Sequence, residues 1–230
     1  MLRLERVAMR YGEGPEVLSH VDLTLERGEF VFVMGPSGAG KTSLLRLLAL
    51  LRRPAAGRLT MFGDDVARLE EDRLRAHRRR IGMVFQDVRL LDHLSVFDNA
   101  ALPLRINGRG DEQIARLVSE VLTWFGLGEV AEASPTTLSM GQRQLVSVAR
   151  AVVTRPDLLL CDEPTANLDG KHARRLMHLF TELCKLGTTV VLATHSADLV
   201  ERHPHPIVQV AGGRVTGPTP ASPSTLAAAE

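Results

Sequence analysis

The eight residues GPSGAGKT, Gly35 to Thr42, constrain this chain more than any other stretch. They stand between EFVFVMG (29–35), a continuously apolar run, and a leucine-rich segment from Thr42 to Leu51 that reads as a helix stopped near Pro54. A short apolar run of this kind suits a parallel strand buried on both faces. A glycine-rich loop between such a strand and a helix is a phosphate-binding pattern in the context that pattern requires. Gly35, Gly38 and Gly40 let backbone N–H groups turn inward, with Pro36, Ser37 and Ala39 completing the loop, and the helix N-terminus adds a dipole that favours an anion. Lys41 is placed to reach the β- and γ-phosphates of a nucleotide such as ATP, and Thr42 to set its hydroxyl on Mg²⁺, with Ser43 beside them.

Further elements follow from periodicity. Residues 2–9 and 21–25 alternate apolar with polar, as half-buried strands do. GRLTMFG (57–63), IGMVFQ (81–86), LLLCD (158–162) and TTVVLAT (188–194) read as strands, 66–79 as a helix, and IVQVAGGRVTG (207–217) as a hairpin around Gly212 and Gly213. A helix carrying Leu176, Leu179, Phe180 and Leu183 separates two of these strands. No strand pattern occurs between about 87 and 157, where Ile114, Leu117, Val118, Val121, Leu122 and Phe125 recur at helical spacing before Gly126 and Gly128. Strands alternating with helices predict an α/β fold with a mostly parallel sheet and an inserted helical subdomain. The expected domain is 1–217, with a Pro-, Ala-, Ser- and Thr-rich tail over 218–230 read as disordered.

Composition narrows the function classes. With 44% hydrophobic and 24% charged residues in 230, the chain is neither a disordered nor a disulfide-stapled protein. The charge is +1 from 28 basic and 27 acidic residues, and aromatics are 4%, which supplies neither the field nor the stacking platforms of a nucleic-acid binder. No stretch approaches the roughly 20 apolar residues that span a bilayer. The start, MLRLERVAMR, has no signal-peptide core, so any membrane role is expected to come through a partner. Cys161 and Cys184 lie in apolar contexts and read as reduced, buried thiols. The basic run DRLRAHRRR (72–80) reads as a solvated helix face with acids at its start, a lipid-headgroup or partner contact being the alternative.

Two more segments carry chemistry. In LLLCDEP (158–164) a buried strand delivers two carboxylates at its C-terminal end, where open α/β sheets bind ligands. Asp162 is suited to hold Mg²⁺, and Glu163 to orient or deprotonate an attacking water. In LSMGQ (138–142), ahead of an apolar helix, Ser139 reads either as an ordinary N-cap or, with the amide of Gly141, as a grip on a phosphate.

The order GPSGAGKT, Gln86 in IGMVFQD, LSMGQ, LLLCDEPTANLD and His195 in LATHS resembles the ATP-binding-cassette ATPases over about residues 1–215. The resemblance implies a Mg²⁺-dependent ATPase with an antiparallel N-terminal β part added to the core. It implies Tyr11 as the aromatic that stacks on adenine, Gln86 as a contact to Mg²⁺ and the attacking water, Asp169 at a dimer interface and His195 on the γ-phosphate. Catalysis then falls to Glu163, His195, Gln86 and Lys41, the metal to Thr42, Gln86 and Asp162, and the opposite face of ATP to Ser139, Gly141 and Asp169 of a second copy. Within the family, residues 85–108 are similar to the cell-division branch, with lipoprotein-release and macrolide-export ATPases nearby. That implies a homodimer on the cytoplasmic face of the inner membrane, bound to a four-helix membrane protein through the helical subdomain. Soluble nucleic-acid-acting cassettes fit poorly, whereas a nucleotide-switched scaffold with little hydrolysis stays open. Met140 stands where the family has glycine, and Leu145 where it usually has Arg. If position 140 needs φ > 0, Met140 costs on the order of 1 kcal/mol, and its side chain crowds a partner's nucleotide.

Overall fold

A computed structural model of the chain describes residues 1–221. Strands β1 (Leu2–Arg10), β2 (Glu16–Leu25), β4 (Ala56–Met61) and β5 (Asp64–Asp65) form an antiparallel sheet in the order β2-β1-β4-β5. The second sheet runs β10-β9-β3-β8-β7-β6, from β3 (Phe30–Met34), β6 (Ile81–Val84), β7 (Leu158–Asp162), β8 (Thr189–Ala193), β9 (Ile207–Ala211) and β10 (Arg214–Thr219). All its pairings are parallel except β9 with β10.

Both faces of this second sheet are buried, which explains the unbroken apolar runs. Alternate residues of β3 divide between two cores. Val31 and Val33 join Leu44, Leu45, Leu47 and Leu48 of helix α1 (Lys41–Leu48) and the inner face of the antiparallel sheet. Phe30, Phe32 and Met34 face the other way, toward helices α5 (Met140–Val152) and α6 (Gly170–Lys185). Helix α2 (Glu71–Arg78) leads into β6, and α7 (Ala197–Arg202) follows β8. Between Val84 and Leu158 no strand occurs among the described residues; α3 (Val96–Ile106), α4 (Asp111–Phe125) and α5 pack together through Val96, Ala100, Ile114, Val118, Leu122 and Leu145.

Several boundaries differ from the sequence reading. β2 begins at Glu16 rather than 21, because a bulge lets Leu18 pair with Met9 of β1 despite the polar residues between. The helix expected over 66–79 is a short 3₁₀ turn over 66–68, capped by the Asp65 side chain, and then α2. The strand expected to reach Gln86 stops at Val84. β10 runs to Thr219, past the expected domain end at 217, and residues 222–230 of the expected tail lie outside the described residues.

The helical subdomain lies tight against the core at Gly82. A Cβ there would overlap the Ala151 carbonyl oxygen of α5. Gly82→Ala is therefore expected to cost about 1–3 kcal/mol of stability by overpacking, measured as a lower melting temperature; an unchanged value would mean that the two backbones are not in contact.

Candidate functional site

The phosphate loop exists because β3 is seated directly against β9. Gly35 has φ 150° and a Cβ on it would overlap the Val210 carbonyl oxygen, so only glycine allows the loop to leave the strand here. Gly40 precedes α1 at φ 113°, and the first turn of that helix carries no acid to compete with a bound anion. Lys41 curls back over the loop, donating from Nζ to the carbonyls of Gly35 (2.5 Å) and Pro36 (3.0 Å).

The second half comes from β7 and β8. The Thr42 hydroxyl donates to Asp162 Oδ2 at 2.7 Å, joining α1 to the end of β7. Asp162 is 3% exposed, and burial pushes its carboxyl pKa up; the charge of Glu163 adds to this, while the Thr42 hydrogen bond opposes it. A buried carboxylate beside a hydroxyl offers hard oxygen donors that a small divalent cation would stabilise, so these residues fit Mg²⁺, with Gln86 on the same cavity.

Glu163 sits at φ 49°, an uncommon conformation for a non-glycine residue, held by its N–H on the Ala193 carbonyl. Its Oε1 accepts the His195 backbone N–H at 2.9 Å and meets Nδ1 of the same ring at 2.6 Å, while Oε2 accepts the Thr194 hydroxyl at 3.0 Å. With Glu163 ionised, the proton belongs on Nδ1, which leaves Nε2 of this exposed imidazole turned outward as the free ring nitrogen.

One cavity of about 440 Å³ gathers Ser37, Gly38, Gly40, Lys41, Thr42, Ser43, Gln86, Asp162, Glu163 and His195, all singled out from the sequence. The sequence reading missed Val17, which lines the same cavity, because it began β2 too late. A larger open concavity, about 1190 Å³, lies over the outer face of the antiparallel sheet among Arg3, Glu5, Asp22 and Arg58, but it holds neither the phosphate loop nor the acid–base pair.

Other candidates lie outside this cavity. Tyr11 borders it: its hydroxyl is 3.1 Å from Ser43 Oγ. Asp169 caps α6, accepting the N–H groups of Lys171 and His172, and also meets the His172 ring, which together hold its pKa below the usual range. Ser139 caps α5 in a reciprocal box with Gln142 (3.2 and 3.0 Å), so the ordinary cap is present and its helix end remains open to solvent. Gly141 packs against the ANLD loop, where a Cβ would lie 3.1 Å from the Asn167 oxygen.

The expected backbone penalty at Met140 is absent. Met140 is the first residue of α5 and is not among the residues with positive φ, so glycine's freedom is not needed there. What remains is its side chain, 56% exposed, beside Gln86 and Asp87. Leu145 is buried in the core, as its apolar character requires. Most of the basic run is paired within the chain, Arg73 with Asp64, Arg78 with Glu71 and Arg80 with Asp157, which is the solvated-face reading. Burial raises both thiol pKa values, Cys184 to about 11, so neither is a reactive nucleophile.

Parallel strands that deliver a phosphate loop, two carboxylates and a histidine to one cavity define a P-loop nucleotide-binding protein. Residues 18–166 match the ABC transporter family. The chain is 41% identical over 217 residues to the cell division ATP-binding protein FtsE of Escherichia coli (strain K12), covering 94% of this chain and 98% of that one. It is 39% identical to the methionine import ATP-binding protein MetN of Chromohalobacter salexigens, over 94% of this chain and 63% of the relative. The ATP-binding cassette MJ0796, solved as a dimer in a post-hydrolysis state with ADP and Pi, superposes with a TM-score of 0.87 at 34% identity, over 94% and 97% of the two chains. The chain belongs to the ABC transporter family, and it is an ATPase subunit of that family.

Because the position-140 backbone is helical, only the Met140 side chain can crowd a facing nucleotide. Met140→Ala is expected to raise ATP turnover as much as Met140→Gly, measured at saturating ATP. A gain from glycine alone would return the argument to the backbone.

Proposed function

We propose that this ATPase closes as a homodimer on two ATP molecules and drives an FtsX-like integral membrane protein, from the cytoplasmic face of the inner membrane, to regulate peptidoglycan hydrolysis during cell division. The observation that carries the reading is the division of the site. Lys41, Thr42, Asp162, Glu163 and His195 share one cavity, while Ser139 and Gly141 stand outside it at a solvent-facing helix end. A second copy, facing the first, brings its own Ser139 hydroxyl, Gly141 amide and Asp169 to the uncovered side of the nucleotide. The dimeric state of the MJ0796 cassette and the near full-length similarity to FtsE support this. The MetN match shows that the cassette is also similar to that of an import ATP-binding protein, of which this chain covers 63%.

In this reading Tyr11 stacks on adenine, and Lys41 and the loop amides hold the β- and γ-phosphates. Thr42, Asp162 and Gln86 would hold Mg²⁺, partly through water, and the ion would supply positive charge to offset that of the phosphate oxygens. Glu163 is oriented by the His195 amide and the Thr194 hydroxyl, and accepts the proton of the water that attacks the γ-phosphorus as the bond to ADP breaks. His195, with Nδ1 held by Glu163, donates from Nε2 to the γ-phosphate when its ring carries both protons. Completion of the site by the second copy ties hydrolysis to closure.

No helix among the described residues is long and apolar enough to cross a membrane. Contact with a membrane protein is supported by a groove of about 400 Å³ between β6 and α3, lined by Phe85, Leu102 and Ile106, the last 65% exposed. Arg150 lines this groove, and burial lowers its pKa. The buried Asn107 Oδ1 has no hydrogen-bond partner there. The groove begins one residue before Gln86, so a segment docked in it can press on the loop that enters the ATP cavity.

Glu163→Gln is expected to slow turnover about a hundredfold or more and to trap an ATP-bound dimer in light scattering. A monomer that still hydrolyses ATP at full rate would falsify the shared site. Ile106→Glu is expected to lower the share of protein sedimenting with membranes while ATP binding by the purified chain persists. Equal sedimentation would exclude the groove as the docking site.

A further inference from the structure

Three polar side chains outside the acid–base pair form a continuous chain that ends in the ATP cavity. Arg46 lies one turn beyond Ser43 on the same face of α1, and its Nη1 donates to the Tyr11 hydroxyl at 3.2 Å. The Tyr11 hydroxyl is in turn 3.1 Å from Ser43 Oγ. Ser43 is 8% exposed and lines the cavity beside Thr42. Arg52 stands over the Tyr11 ring, its guanidinium carbon 5.4 Å from the centroid.

Hydrogen-bond valence gives this chain a direction. A guanidinium can only donate, so the Arg46 contact uses a lone pair of the phenol oxygen and leaves the phenol hydrogen for Ser43. Ser43 Oγ then accepts from Tyr11, and its own hydrogen is free to point into the cavity. A phosphate oxygen is an acceptor only, so the free end of the chain matches what a nucleotide presents. Each bond polarises the next, and the charge of Arg46 is felt at the Ser43 hydrogen. Reversing the middle bond would set the phenol hydrogen against Arg46, donor against donor.

We infer that Arg46 is a positioning residue for the nucleotide phosphates, acting through the Tyr11 hydroxyl to aim the Ser43 hydroxyl at them. The inference rests on the reading of the cavity as the ATP site. It gives Tyr11 a second task, carried by its hydroxyl rather than by its ring. The charge state of the phenol is consistent with the same contacts: burial opposes ionisation, but the bonds to Ser43 and Arg46 and the charge of Arg52 outweigh it and hold the pKa below the usual tyrosine value.

The test is equilibrium binding of ATP and ADP to the full chain and to Tyr11→Phe, Arg46→Met, the double variant and Arg46→Lys. Tyr11→Phe keeps the ring and removes the relay. Each of the first two is expected to weaken ATP and ADP binding about three- to tenfold, the worth of one ordinary hydrogen bond. The double variant should be no weaker than either alone, since one chain is broken once. Arg46→Lys should restore binding, because an ammonium also only donates. Tyr11 is the chain's single tyrosine, so a tyrosinate absorbance titration reads it alone. In Arg46→Met its pKa should move up toward the ordinary value, a change that lost helix packing would not produce. Wild-type affinity in Tyr11→Phe, or losses that multiply in the double variant, would overturn the relay. Failure of the wild-type chain to bind ATP at all would instead overturn the underlying reading of the cavity.

Discussion

Parallel pairing of β3, β8 and β7 is the constraint on which the rest of the molecule depends. Strands that run the same way must end at the same edge, and each of these ends in a residue that can do chemistry: Gly35 after β3, His195 after β8, Asp162 and Glu163 at the end of β7. The register places Asp162 opposite Ala193 and Val33 opposite the same residue. That alignment brings the Thr42 hydroxyl within 2.7 Å of a carboxylate 120 residues away. Burial on both faces keeps the sheet from slipping, because a one-residue shift of β3 would exchange Phe30 and Phe32 with Val31 and Val33 between two differently shaped cores.

The same edge concentrates electrostatic and conformational cost. Two adjacent carboxylates, both nearly buried, lie in one cavity, and Glu163 adopts a left-handed backbone to get there. Natural chains tolerate such arrangements where surrounding bonds over-determine them. Here the Ala193 carbonyl holds the Glu163 amide, and the His195 and Thr194 donors satisfy its oxygens. The cost is small beside the two cores that hold the strands in place, and its electrostatic part sits where a cation would relieve it.

The helical subdomain is built on different terms. Its helices meet the α/β core at the close approach to Gly82 and border a mostly apolar groove that Arg78, Arg79 and Arg150 also line. Motion of this unit would carry the α5 N-terminus with it, and with that the residues held back from the cavity. Met140 stands at this helix end with its side chain exposed.

The sequence by itself determined the glycine-rich strand–loop–helix, the carboxylates on β7 and the histidine after β8, because local spacing and apolar runs leave these motifs few alternatives. It also determined the helical block between Val84 and Leu158, whose periodicity is local. It could not determine where β2 begins, since the bulge that pairs Leu18 with Met9 depends on a neighbouring strand. Nor could it decide the backbone at Met140, which is helical because Ser139 and Gln142 cap the turn reciprocally. The direction of the Arg46–Tyr11–Ser43 chain was equally hidden: Tyr11 and Ser43 are 32 residues apart, and only tertiary packing brings the phenol onto α1. Side-chain spacing along a chain names the groups available, but hydrogen bonds between distant elements decide which of them act together.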